Sequence, residues 1–182
     1  MKIGVGCFWG MLMLVLGWSC PSPADAWYIG IKGGPMISDI GGMDNAGNLG
    51  ALVGRDVYGF EYGRLAVEGE FTASIEDGEI SKAEFFDGKW DLNTLGVWLA
   101  YRSPHRLYGK LKLGVNYVDI NVDRSGNDFK DETTGLSWGI GAGWQLDEIF
   151  SVEVEYTQET DLELAGDDGD IRFLSLGLNC HF

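Results

Sequence analysis

Strict alternation of apolar and polar residues at the end of the chain restricts its fold more than any other feature. Within residues 173–182, every second residue counted back from Phe182 is apolar, and the residues between them are mostly small or polar. A period of two is typical of a β-strand whose two faces meet different surroundings. Chain ends usually fray, whereas a barrel in a bilayer has to pair its last strand with its first, because lipid cannot hydrate an open edge. The segment therefore favours the closing strand of a membrane barrel over the C-terminal strand of a soluble sandwich.

The beginning of the chain has the pattern of an export signal. After Lys2, residues 3–18 are uncharged and almost wholly apolar, and small residues flank the bond that follows residue 26. This arrangement is typical of a cleaved secretory signal peptide and is too short for a membrane anchor. We predict that residues 1–26 are removed and that one domain spans residues 27–182. A lipoprotein cysteine at Cys20 is the alternative, although the bulky residues before it fit that pattern badly.

Composition excludes several classes of function. The net charge of −15 argues against nucleic acid as a partner, because phosphate backbones need basic surfaces. After removal of the signal, Cys180 is the one remaining cysteine, so neither an intramolecular disulfide nor a cysteine metal cluster can form. We expect no cofactor. No later segment approaches the ~20 apolar residues of a membrane-spanning helix, so a chain that crosses a bilayer must do so with strands.

Eight alternating segments follow the signal, joined in turn by long polar loops and short turns. The predicted strands are residues 27–34, 49–58, 64–74, 90–102, 107–118, 136–146, 150–156 and 173–182, and the predicted long loops are residues 38–48, 75–89, 119–134 and 158–170. Outer-membrane barrels show this asymmetry, with long extracellular loops and short periplasmic turns. We therefore predict an all-β fold, an eight-stranded antiparallel up-and-down transmembrane β-barrel. The facing of the second strand stays open, because either Arg55 or Asp56 must face outward.

Outward aromatic residues fall at strand ends once the strand directions are assigned. Trp138 and Trp144 lie six residues apart on one strand, which is about 20 Å at the rise of a β-strand. With strand tilt, this spacing fits the apolar band of ~25 Å that two aromatic girdles flank. The predicted periplasmic girdle is Trp27, Tyr101, Trp144, Phe150 and Phe182, and the predicted outer girdle is Phe71, Tyr117, Trp138 and Tyr156.

Charged residues lie on the opposite, inward faces of the same strands. The interior of an eight-stranded barrel is just wide enough for side chains to fill it. Buried charges there must be paired, because an isolated ion is costly. We predict an ion-pair network that plugs the lumen and leaves no wide pore, and a small water-filled cavity is the alternative. The predicted network is Arg64, Glu68, Glu70, Arg102, Lys110, Lys112, Glu153 and Glu155.

The whole chain after the signal resembles the small eight-stranded outer-membrane barrels of the OmpA-like and opacity-protein type. The likeness is carried by residues 64–71, 107–115 and 139–144 and by the final strand. In that strand, Gly177, Leu178, Cys180 and Phe182 resemble the C-terminal assembly signal of bacterial outer-membrane proteins. The resemblance implies the cell outer membrane as the location. It also implies outer-membrane lipid, lipopolysaccharide and the barrel-assembly machinery as partners.

The sequence supports a structural or surface-interaction role better than catalysis. Only His105 and His181 exist, and both are expected at the periplasmic end, away from the outer leaflet. A Ser-His hydrolase of outer-leaflet lipid needs its imidazole there, so we predict no enzyme. The acidic loops could hold divalent cations, although solvated loops are the simpler interpretation. We predict a monomeric, adhesin-like or structural barrel. The alternatives are a soluble lipocalin-like barrel that binds an apolar ligand and an outer-membrane lipid-modifying enzyme.

Overall fold

The protein consists of β-strands joined by turns and loops. The computed structural model describes residues 27–38, 45–75, 78–79, 88–124, 129–164 and 167–182. The strands are β1 (Trp27–Ser38), β2 (Ala46–Phe60), β3 (Gly63–Ser74), β4 (Gly78–Glu79), β5 (Gly88–Arg102), β6 (Leu107–Arg124), β7 (Phe129–Gln145), β8 (Phe150–Leu164) and β9 (Asp167–His181). Within these described residues, no helix is long and apolar enough to cross a membrane.

Eight of the strands close into an antiparallel up-and-down barrel. Each pairs with its neighbours in the chain, β3 pairs with β5, and β1 pairs with β9 to complete the circle. The two-residue β4 lies outside the circle and extends the sheet beside β5. The predicted eight-stranded barrel is therefore confirmed. The signal peptide and the lipoprotein alternative lie outside the described residues and stay predictions.

The register of the strands fixes their tilt and facing. A row of paired residues that starts at Trp27 passes through all eight barrel strands and returns to β1 at Ile37. The row is displaced by ten residues, since 37 minus 27 is 10. Such a stagger requires tilted strands, typically by about 35–45°. Because the displacement is even, inward residues stay inward all the way around the barrel.

The outer surface is apolar and the interior is mainly polar. Leucine, isoleucine and valine side chains on alternate positions of every barrel strand are exposed outward, whereas most buried inward residues are charged or polar. An apolar belt of this extent needs lipid around it, because large exposed apolar surfaces are disfavoured in water. Examples of the outward residues are Ile31, Leu99, Leu113, Ile140 and Leu176.

A β-bulge interrupts β2 just after Arg55 and Asp56, the two charged residues that left the facing of this strand open. The pairing of β2 with β3 shifts between Asp56 and Tyr58. Before the bulge, Arg55 faces outward against the ring of Trp27 and Asp56 faces inward. After it, the parity reverses, so that Val57 and Tyr58 are both exposed. One extra residue in a strand produces this reversal.

The strands are longer than the alternation of apolar residues predicts. In the described part of the chain, residues 119–134 and 158–170 are mainly strand: β6 and β7 pair as far as Val122 and Phe129, and β8 and β9 pair as far as Leu164 and Asp167. These predictions were wrong because the apolar residues change face beyond the lipid. On β6, Val118 and Ile120 are buried inside and the polar residue between them faces outward, so the outward apolar pattern stops while the backbone pairing continues.

The two ends of the barrel differ. We call the end with the chain termini and short turns the turn end, and the opposite end the loop end. At the turn end, Gly63 has a φ of 152°, and a Cβ there would overlap the carbonyl oxygen of Arg102. Between β7 and β8, the carboxylate of Asp147 accepts hydrogen bonds from the amides of Phe150 and Ile149 at 2.7 and 2.8 Å. These bonds lower the pKa of Asp147, because they stabilise its charged form.

Candidate functional site

The half of the lumen nearer the turn end contains two bases and two acids, which we call the lower cluster: Arg102, Lys110, Glu68 and Glu153. Arg102 lies 2.7 Å from Glu68 and 3.1 Å from Glu153. Lys110 Nζ lies 3.0 Å from a carboxylate oxygen of each acid. All four side chains are buried. Each charge therefore has two opposite partners, the condition under which buried ions are tolerated.

A second set of two bases and two acids lies next to the first, and we call it the upper cluster: Lys32, Lys112, Glu70 and Glu155. Lys112 lies 2.8 Å from Glu70 and 2.7 Å from Glu155. Lys32 pairs with Glu70 and lies 3.1 Å from Glu155. An ion pair of 3.0 Å between Lys110 and Glu155 joins the two clusters. Balanced charge thus runs through the middle of the barrel without interruption.

Aromatic side chains complete the packing of these ions. The hydroxyls of Tyr28 and Tyr108 donate to the acids of the lower cluster, at 2.8 and 2.7 Å. The Arg102 guanidinium lies 4.3 Å from the Tyr28 ring centroid, and Lys112 Nζ lies 4.0 Å from that of Trp98. Cation–π contacts of this kind are strongest where water is excluded. The sequence analysis missed all three rings, although each has inward parity in its strand.

The structure distributes the predicted lumen charges unevenly. Seven of the eight belong to the two clusters, and Lys32, which was not predicted, joins them. Arg64 lies apart at the rim of the turn end, where it pairs with Asp56 at 3.1 Å and leaves 37% of its side chain exposed. A charged interior beneath an apolar exterior is the reverse of what the lipocalin-like alternative requires.

Inward glycines on β7 make room for the large side chains of β6. Lys112 pairs with Gly139, and Tyr108 pairs with Gly143. A Cβ at Gly139 would lie 2.9 Å from carbon atoms of the lysine, and a Cβ at Gly143 would overlap the tyrosine ring. The glycines of β7 therefore leave space for the long side chains of the paired residues on β6. Two large inward side chains would not fit side by side in so narrow a barrel.

Towards the loop end, the lumen contains no further bases among the described residues and then becomes apolar. Asn116 Nδ2 donates to Glu159 at 2.8 Å and to Ser137 Oγ at 3.2 Å, and all three side chains are buried. Beyond them lies a packed group that we call the apolar layer. Its members are Met36, Ala46, Leu92, Val118, Ile120, Ile171 and Phe173. This layer separates the ion pairs from the loop end.

The turn end carries a polar mouth. A cavity of about 560 Å³ lies there, lined by Arg64, Arg106, Gln145, Asp147, Glu148 and His181. Behind it, Nε2 of His181 lies 3.0 Å from Ser151 Oγ, a contact that the sequence analysis did not foresee. The Ser151 side chain is fully buried, so a lipid acyl chain cannot reach its hydroxyl in this structure. His105 is exposed in the turn before β6. Neither histidine lies at the loop end, so the arrangement does not favour hydrolysis of outer-leaflet lipid.

The predicted aromatic girdle residues all lie on the outward faces of their strands. Those of the periplasmic set are at the turn end and those of the outer set are nearer the loop end. In the outer set, the rings of Trp138 and Tyr156 are 5.7 Å apart. Tyr58 and Phe60 join the turn-end set, because the bulge turns them outward, and Phe60 stacks on Tyr101 at 6.0 Å.

The C-terminal strand forms the seam of the barrel. Leu178 and Cys180 lie on its outward face beside Ile31 and Ile29. At the end of the seam, the backbone amide and carbonyl of Phe182 bond to those of Trp27, at 2.8 and 3.1 Å. Gly177 faces inward and pairs with Lys32. The four residues of the predicted assembly signal thus include both inward and outward positions of the closing strand.

At the loop end, β7 extends beyond its pairing with β8. That pairing ends at Ser137 and Glu159, whereas β7 remains paired with β6 eight residues further, to Phe129. On the β8 side of residues 129–136, the structure describes no partner strand. Individual residues there do have contacts: the Leu136 carbonyl accepts a bond from the Thr160 hydroxyl at 3.0 Å, and Glu132 has an interaction of its own. The edge is about 25 Å long at the rise of a strand.

Comparison with known proteins agrees with this architecture. The model of the outer membrane protein beta-barrel domain family matches residues 11–182. The chain belongs to this family. Its location is accordingly the outer membrane, and it is a small barrel of that membrane. No curated protein matches the sequence.

Several solved outer-membrane barrels share the fold at low sequence identity. Neisserial surface protein A (NspA) is 15% identical, with 87% of this chain and 97% of that chain covered and a TM-score of 0.60. A major outer membrane protein from Thermus thermophilus is 13% identical, with 87% and 100% covered and a TM-score of 0.64. Ail, the attachment invasion locus protein of Yersinia pestis, is 16% identical, with 87% and 97% covered and a TM-score of 0.55. At these identities the likeness shows the fold alone.

Proposed function

We propose that this protein is an adhesin-like, surface-interaction barrel that binds an extended segment of another protein along the edge of β7 beyond Ser137. The barrel anchors the chain, and the loop end faces outside the cell, as the long loops of such barrels do. The observation that carries the proposal is that β7 continues beyond Ser137 with no partner strand described on its β8 side. An exposed strand edge presents a row of backbone donors and acceptors, a ready template for another strand.

The charge of the loop end favours a basic partner. The chain carries a net charge of −15, and residues 161–170 contain five acidic residues and no lysine or arginine. Opposite charge on a partner would speed its encounter and reject acidic competitors. Ail has been solved in complex with the heparin analogue sucrose octasulfate. A polyanion of that kind does not suit the acidic loop end of this chain, so we propose a basic, extended polypeptide instead.

The lumen serves as a rigid support rather than a pore in this proposal. The two ion-pair clusters and the apolar layer succeed one another along the barrel. Eight strands leave little space beyond that filled by side chains. The protein therefore presents its edge from a stiff, closed cylinder.

Shortening one hairpin tests the proposal. Val118 pairs with Thr133, so an Asn-Gly turn that joins these two residues removes residues 119–132, which include half of the β7 edge and Ile120 of the apolar layer, and keeps β6 and β7 paired up to Val118 and Thr133. We expect the shortened protein to fold in lipid vesicles and to lose binding to an array of short basic peptides. In the intact protein, bound peptide should also slow amide hydrogen exchange within residues 129–136.

A matched control shortens the other hairpin. Leu162 pairs with Gly169, so the same turn placed between them trims β8 and β9 and leaves the β7 edge intact. This variant should keep its peptide binding. Equal binding by both shortened proteins, or preference for acidic peptides, would contradict the proposed function.

Three further partners belong to the same proposal. Lipopolysaccharide would surround the outer girdle, with divalent cations bridging its phosphates to acidic loop residues. The barrel-assembly machinery would bind the closing strand through the segment that ends at Phe182. A monomer suffices for all of these contacts, because each lies on one copy of the barrel.

A further inference from the structure

Glu159 is a buried carboxyl group without a base beside it. Its side chain is 2% exposed, and Oε1 accepts a hydrogen bond from Asn116. Oε2 is buried and has no hydrogen-bond partner within the described part of the chain. An ionised carboxylate in such a position is strongly disfavoured, and the usual response is to take up a proton.

The bases nearest to Glu159 are already paired with other acids. The charged groups that act on it are Glu70, Lys32 and Lys112, all members of the upper cluster. Both lysines pair with Glu70 and with Glu155. Each cluster holds two bases and two acids, so both are neutral as a whole and Glu159 is a fifth buried acid.

The other groups around Glu159 offer no charge to balance it. Asn116 and Ser137 are neutral polar residues on the adjacent strands. Its partner on β9 is Ile171, a member of the apolar layer. This layer lies between Glu159 and the loop end, so water from that side is kept away.

We propose that Glu159 carries a proton at neutral pH and acts as a pH-sensitive lock on the upper cluster. As a neutral acid it leaves both lysines paired with Glu70 and Glu155. When it loses the proton, a fifth negative charge lies beside Glu70 and competes for the same lysines. Ionisation therefore loosens the upper cluster from the loop-end side. The inference is independent of the proposed peptide binding at β7.

Infrared spectroscopy of the protein in lipid vesicles tests the proton directly. At neutral pH, the wild type should show the carbonyl-stretch band of a protonated carboxylic acid, with an intensity of one group per barrel and a small shift in heavy water. Glu159→Gln should abolish the band. Asp147→Asn is the matched control, because it removes a carboxylate at the turn end, far from the upper cluster, and should leave the band in place.

Stability against pH supplies a second readout. A group that keeps its proton in the folded state after the unfolded state has lost it makes stability fall between the two ionisations. The wild type should therefore lose stability as the pH rises from the acidic range, where an unfolded glutamate ionises, to the pH at which Glu159 ionises, and Glu159→Gln should flatten that part of the curve. If Glu159→Gln does not fold, the wild-type band alone decides, since it must disappear reversibly as the pH rises. Absence of the band at neutral pH, or its survival in a folded Glu159→Gln protein, would overturn the proposal.

Discussion

At the scale of single residues, the space beside Gly143 shows how tightly the lumen is filled. A Cβ there would overlap the ring of Tyr108, which cannot retreat because its hydroxyl is bonded to Glu153 at 2.7 Å. We expect Gly143→Ala to reduce the free energy of unfolding by about 1–3 kcal/mol, the usual cost of overpacking. Gly109→Ala is the matched control on the outward face, with no atom within 4 Å of its Cβ position. Urea unfolding in lipid vesicles, followed by tryptophan fluorescence, measures the free energy of unfolding of both variants. Equal losses of stability in the two variants would argue against a close-packed lumen.

Lys110 tests the ion pairs at the same scale. It contacts Glu68, Glu153 and Glu155, each at 3.0 Å. Lys110→Met leaves these acids with too few bases, so we expect a loss of about 3–5 kcal/mol in the free energy of unfolding. The double variant with Glu155→Gln restores the charge balance and should recover part of that loss. A double variant whose loss equals the sum of the two single losses would show that the pair is not coupled.

The alternation of inward and outward positions along each strand predicts most of this interior. The positions that it did not predict have definite physical causes. Period-two alternation gives the inward facing of Lys110, Lys112 and Glu153, because a charge cannot face lipid. The same alternation places Lys32 inward as well, but in the first segment the sequence analysis considered only the apolar, outward face. The Ser151–His181 contact could not be predicted, since it depends on the register between β8 and β9 and not on either strand alone.

At the scale of elements, the bulge in β2 decides which aromatic residues reach the turn-end girdle. Deletion of Val57 removes the extra residue, so that Tyr58 follows inward Asp56 directly, keeps its pairing with Leu65 and still faces outward. A one-residue deletion elsewhere in the strand exchanges its faces instead. We therefore expect the Val57 deletion to keep the yield of the folded, heat-modifiable form in lipid vesicles, measured by gel migration with and without boiling. Deletion of Val53, which lies in a regularly paired part of β2, should lower that yield, and equal yields from the two deletions would contradict the role of the bulge.

The sequence predicts strands well only where they meet two different surroundings. In lipid, one face must be apolar, so the segments near Leu113 and Trp138 show clear alternation. Beyond the membrane this constraint ends, and in the extension of β6 to Arg124 the apolar residues Val118 and Ile120 face inward, so the outward apolar pattern is lost. The edge of β7 beyond Ser137 could therefore not be predicted, because it follows from where the pairing of β7 with β8 ends.

At the scale of the whole molecule, the barrel has two barriers in series, the joined ion-pair clusters and the apolar layer. We expect the wild type to show no steady conductance in planar bilayers. Ile120→Ser with Phe173→Ser opens only the apolar layer, and the clusters should still block ions. Lys110→Ser with Glu155→Ser removes one base and one acid, including the pair that joins the clusters, and keeps the total charge balanced.

A barrel with either pair of substitutions alone should therefore remain closed to ions. A barrel with all four substitutions should pass small cations, seen as discrete steps of current. Dehydration of an ion at the apolar layer is costly, and so is separation of buried charges, so each barrier suffices without the other. Steady conductance of the wild type would show that water already connects the two ends of the lumen. Conductance of the apolar-layer variant alone would show that the clusters rearrange easily, and the lumen would then be a gated path rather than a solid support for the edge of β7.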